Sequence, residues 1–70
     1  MTDLEKTILR ALSIEGHKHV IDFACYQRDP DSFDVAEANL IKAGYIRTNA
    51  DGGMLELTQE GILKAGELEE

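Results

Sequence analysis

Tryptophan is absent from this chain, and cysteine and proline occur once each. A single cysteine excludes an internal disulfide framework, and a lone thiol suits a reducing compartment. Two Phe and two Tyr leave little material for an aromatic stacking platform. No apolar run approaches the ~20 residues that cross a bilayer. The N-terminus lacks the basic-then-apolar pattern of a secretory leader, so a cytoplasmic protein is expected. Positive charge is scarce as well: 7 Lys and Arg stand against 14 Asp and Glu, for a net charge of −7. Such a chain repels phosphate at long range and is steered toward basic partners. Apolar residues are plentiful, at 43% of 70 residues. One small domain over residues 1–70 is expected, burying about 60% of its unfolded surface.

The acids are unevenly placed. Asp29, Asp31, Asp34 and Glu37 face only Lys42 in residues 29–44, and Glu60, Glu67, Glu69 and Glu70 face only Lys64 in residues 59–70.

Apolar spacing gives a coarse map. Leu4, Ile8, Ala11 and Leu12 form one helical stripe, widened by Leu9 and Ile14, which predicts a helix over 3–15. Thr2 and Glu5 form a capping-box pattern at its start, and Gly16 stops it. Val20, Ile21, Ala24 and Cys25 recur at helical spacing, with Phe23 and Tyr26 beside them, and predict a second helix over 17–28. Asp29 suits an N-cap and Pro30 a first helical position, so a third helix is predicted over 30–43. Phe33, Ala36 and Leu40 share its inner side; Asp31, Asp34, Val35, Ala38, Asn39 and Lys42 its outer side. Glu37 falls close to the inner side, where a carboxylate must snorkel or pair. Alternation predicts a hairpin over 45–57, with Leu55 and Leu57 inward and Met54 and Glu56 outward. Asn49-Ala50-Asp51-Gly52-Gly53 supplies its loop. Thr58 caps a final short helix over 59–68 carrying Ile62, Leu63 and Ala65, with Gly61 and Gly66 permitting close packing.

Leu40-Ile41-Lys42-Ala43-Gly44-Tyr45-Ile46, then Asp51-Gly52-Gly53, then Leu57-Thr58-Gln59-Glu60-Gly61 is a specific succession. It resembles the winged helix-turn-helix superfamily, in particular its small prokaryotic regulators. Asp22-Phe23-Ala24 stands where such proteins carry an acidic-Leu-Ala triplet. The resemblance spans nearly the whole chain. It implies a mainly α, α+β fold: a three-helix core, a two-stranded wing and a short C-terminal helix. It also implies a stand-alone DNA-binding transcriptional regulator, with helix three in the major groove. The DNA-contacting residues would be Lys18, Arg28, Asn39, Lys42 and Arg47, Asn39 being able to read adenine. A homodimer would double these few contacts.

The exposed face of helix three argues the other way. Its N-terminal half offers Asp31, Ser32, Asp34, Val35, Ala38 and Asn39, none of them basic. The alternative is a protein-interaction module that does not bind DNA, in which Asp31, Asp34, Val35 and Ala38 meet a basic partner. An enzyme is not expected: Ser13 and Ser32 lack a base and an orienting acid, and no phosphate-cradling loop is present. The Asp29, Asp31, Asp34 set departs from a calcium loop at Pro30 and in its missing glycine and terminal glutamate. His17, His19 and Cys25 suggest a metal site, but histidines at i, i+2 on a helix diverge, so neither metal nor cofactor is expected. Cys25, on an apolar helix, reads as a small core residue.

Overall fold

A computed structural model describes residues 1–49 and 53–68. Ala50, Asp51 and Gly52 of the expected hairpin loop, and Glu69 and Glu70, lie outside the described residues. The order is α1 (Asp3–Glu15), β1 (His17–His19), a 3-10 turn (Val20–Asp22), α2 (Ala24–Arg28), α3 (Pro30–Ala43), β2 (Ile46–Thr48), β3 (Met54–Leu57) and α4 (Gln59–Leu68). The fold is thus α+β, four helices with a three-stranded antiparallel sheet ordered β1-β3-β2. No described helix is long and apolar enough to cross a membrane.

Thr2 and Glu5 start α1 reciprocally. The Glu5 amide donates to Thr2 Oγ1 at 3.2 Å, and the Thr2 amide and hydroxyl donate to Glu5 Oε1 at 2.9 and 2.8 Å. Those bonds, the backbone one foremost, hold the Glu5 carboxyl below its ordinary value. Gly16 ends the helix at φ 83°, a conformation glycine adopts without a Cβ clash. Ile14 is 75% exposed, so the apolar stripe of α1 turns Leu9 inward but not Ile14.

The expected helix over 17–28 is corrected. Residues 17–19 form an edge strand, His17 opposite Glu56, Lys18 opposite Leu55 and His19 opposite Met54. His19 then caps the 3-10 turn, and the α-helix occupies only Ala24–Arg28. The cause is tertiary: the edge of β3 offers unpaired backbone groups, and three residues of strand satisfy them better than an isolated first helical turn. Phe23, in extended conformation between the two helical pieces, is the buried anchor at 3% exposure. Ile21 is 57% exposed, and Val20, Cys25 and Tyr26 are half-buried.

Ile8, Leu9, Leu12, Phe23, Phe33, Ala36, Leu40, Ile46, Leu55 and Ala65 form the core. Three of the few aromatics concentrate there: Phe33 lies 5.2 Å from Phe23 and meets Tyr26 edge-on at 5.3 Å. α4 turns Gly61 and Ala65 inward and leaves Ile62 and Leu63 60% and 62% exposed. Small residues face in because α4 lies against backbone: a Cβ on Gly61 would overlap the Tyr45 carbonyl oxygen. Gly66 is at no such approach, since a Cβ there would meet nothing within 4 Å. Thr58 fixes this seat. Its hydroxyl donates to the Gly44 carbonyl and accepts the Gly61 amide, and its own amide donates to the Tyr45 carbonyl at 3.0 Å.

Candidate functional site

α3 presents the outward face on which both readings of the sequence depend. Asp29 caps it, accepting the Ser32 hydroxyl at 2.7 Å and the Ser32 amide at 3.3 Å. The hydroxyl bond, then the amide bond, lowers the Asp29 carboxyl. At the far end Gly44 adopts the left-handed conformation, its amide reaching the Ile41 carbonyl and the Tyr45 amide the Leu40 carbonyl. That pair of bonds is a Schellman motif. With both ends closed and Phe33, Ala36 and Leu40 buried, the rotation of the helix is fixed. Asp31, Asp34, Val35, Ala38, Asn39 and Lys42 are all exposed, Val35 by 62%.

Charge on this face is divided along the helix, with Asp31 and Asp34 toward its start and Lys42 in its last turn. Among the described residues the ion pairs are Lys18 with Glu15, Arg47 with Glu56, and Lys64 with Glu67, and none involves α3. Glu37 is half-buried, and burial first, then the charge of Asp34, raises its carboxyl above the ordinary value.

The cations expected to meet nucleic acid fall in different settings. Lys18 Nζ lies 2.7 Å from Glu15 and 5.4 Å from the Phe23 ring centre, its stem on the core side at the sheet edge. Arg28 borders the same cleft as Lys18, a cavity of about 460 Å³ between α1 and α2 that also touches Asp3, Phe23 and Cys25. Arg47 stands on β2, its Nε 2.9 Å from Glu56 on the neighbouring strand. Lys42 is exposed in the last turn of α3. Lys42 and Arg47 do not line the cleft that holds Lys18 and Arg28.

A second cavity joins residues from both readings. Asp31, Val35 and Asn39 border a groove of about 410 Å³ with Ser32 and Ala36, closed on its other side by Thr2 and Leu4 of α1. Nothing in the local pattern points to Thr2 and Leu4 here; Leu4 reads as an ordinary core position, and only the α1–α3 packing leaves it half-buried at the groove. Asp34 and Ala38 lie beside this groove on the exposed surface of α3 rather than in its lining.

The strand at 17–19 also changes the histidine geometry. On a strand, i and i+2 share a face, so His17 and His19 point the same way. His19 Nδ1 accepts the Ile21 amide at 3.4 Å, and Cys25 lies in the Lys18 cleft. Among the described residues no three His, Cys, Asp or Glu side chains come together as a metal site would need. No protein-family model, no curated protein and no solved structure matches this chain.

Proposed function

We propose that this chain is a small winged-helix regulatory module that works by binding a protein, with the acidic outward face of α3 meeting a basic partner. The architecture supports the winged-helix part: α1, α2 and α3 in succession, the β2–β3 hairpin, then α4, with β1 joined to the hairpin as a third strand. One observation carries the choice of partner. Lys18 and Arg47 are already held by Glu15 and Glu56, while Asp31 and Asp34 are exposed and joined to no cation among the described residues. An aspartate brought within about 4 Å of a phosphate is repelled by roughly 1 kcal/mol in water and about 4 kcal/mol at a protein surface. Releasing Lys18 or Arg47 for phosphate first breaks an existing pair. A cationic partner gains from the same two aspartates without that cost.

DNA binding is the second reading, favoured by the resemblance and by the exposure of Asn39 and Lys42 on α3 and of Arg28 at the end of α2. A backbone amide NMR titration with mixed-sequence duplex DNA at low salt separates the two, because phosphate contacts are strongest there. The protein-binding reading expects no shifts clustered on α3 and the hairpin. Shifts on those elements that reverse with added salt would overturn it in favour of DNA.

A further inference from the structure

We infer that the groove between the first turn of α1 and the outer side of α3 docks an amphipathic, basic helix of a partner protein, one large apolar side chain of which settles on Leu4, Val35 and Ala36. The inference rests on the protein-binding reading of α3 and adds where the partner sits and what form it takes.

Shape comes first. The groove, about 410 Å³, is floored by Leu4, Val35 and Ala36 and bordered by Thr2, Asp31, Ser32 and Asn39. Val35 is 62% exposed, more than Ile41, the other exposed large apolar side chain of α3, so an apolar side chain is held ready at the groove without any neighbour to cover it. The volume falls in the range of clefts that bury a small ligand, so it has room for one large side chain.

Backbone chemistry then selects the form of the partner. An extended peptide binds by adding to a sheet edge, where main-chain donors and acceptors are free. Both walls of this groove are helices. The backbone of α1 is capped by Thr2 and Glu5, and that of α3 by Asp29 and the Gly44 motif. Neither wall offers an edge to pair with. A helix brings its own backbone bonds satisfied and needs only a stripe of side chains.

Charge selects the sign. Asp31 is the one charged residue lining the groove, with Asp34 exposed one turn further along α3, and no Lys or Arg lines it. Partner lysines or arginines flanking the apolar anchor would meet these acids, whereas an acidic helix would be turned away.

The test uses a short helical peptide of Leu and Lys, a version with Leu replaced by Ser, and a version with Lys replaced by Glu. Binding is followed by fluorescence anisotropy and mapped by amide NMR on the full chain. The Leu/Lys peptide is expected to shift Thr2, Leu4 and residues 31–39, and the Lys→Glu version to leave them unmoved. Val35→Ser should weaken binding about tenfold, the loss typical of a central apolar contact, and Val35 is exposed enough for the variant to fold. Asp31→Asn with Asp34→Asn should weaken it and flatten its salt dependence. If the Ser/Lys peptide binds α3 as well as the Leu/Lys one, and Val35→Ser changes nothing, the groove is rejected while the acidic-face reading stands. Shifts gathered instead on Ile14, Ile62 and Leu63, or no binding of either basic peptide, would reject the groove as well, and the latter would take the acidic face with it.

Discussion

Thr2 and Glu5 are among the most constrained side chains, although neither belongs to the apolar core. Each satisfies a backbone amide of the other at the open end of α1, where the first helical turn has no internal acceptors. Replacing Thr2 with Ala removes the hydroxyl that binds the Glu5 amide and carboxylate, so a loss of about 1 kcal/mol is expected in urea denaturation near neutral pH. The pH dependence has a definite sign. Glu5 is depressed in the folded state from an ordinary value of 4.5, so its stabilisation is complete above that value and is lost as pH falls through the lower folded one. The gap between Thr2→Ala and the parent chain should therefore narrow in acid. A gap that stays constant across that range would mean the carboxylate is not part of the cap. Glu37 runs opposite: burial and Asp34 raise it, so its charge opposes folding above the raised value and ceases to do so when protonated.

At the scale of elements, α4 carries a sharp contrast between two glycines that look alike in sequence. Gly61 lies on the Tyr45 backbone, whose carbonyl oxygen a Cβ would overlap and whose carbon it would crowd at 2.8 Å, whereas Gly66 faces open space. Gly61→Ala should therefore cost roughly 1–3 kcal/mol, because backbone must move to admit the methyl group. Gly66→Ala should add roughly 0.5–1 kcal/mol by lowering chain entropy in a helix. Thermal unfolding reads both, since 1 kcal/mol moves the midpoint of so small a protein by about 4–8 °C. Equal shifts for the two variants would contradict the close seat of α4. The same contrast explains what sequence can convey. The stripes of α1 and α3 were legible because each runs more than three turns with a cap at its start and a glycine at its end. The stretch 17–28 was not. Val20, Ile21, Ala24 and Cys25 keep helical spacing, yet three residues before them pair with a strand about forty positions away in sequence, and no local pattern announces that partner. A three-residue strand is too short for its alternation to be distinguished from one helical turn.

For the molecule as a whole, the balance of charge decides more than any single pair. Fourteen acids against seven bases leave a net charge of −7, and the three ion pairs among the described residues are at the surface, where such pairs contribute about 0–1 kcal/mol each. The outward face of α3 was legible to the extent that its periodicity names Asp31, Asp34, Val35 and Ala38. Its groove was not, because Leu4 arrives from an element 27 residues earlier than Asp31 only through packing. Two salt effects then compete. Screening weakens the three attractive pairs, and it also weakens the repulsion among acids that have no cation beside them, including Asp31, Asp34 and Glu37. The second set is larger, and in it Glu37 is raised by burial first and by the charge of Asp34 second. Raising NaCl from about 0.01 M to about 1 M shortens the screening length from roughly 30 Å to roughly 3 Å. The thermal midpoint is therefore expected to rise with salt, and to rise less in a variant carrying both Asp31→Asn and Asp34→Asn. A midpoint that falls with salt would mean the ion pairs dominate and would remove the electrostatic reason for this face to seek a basic partner.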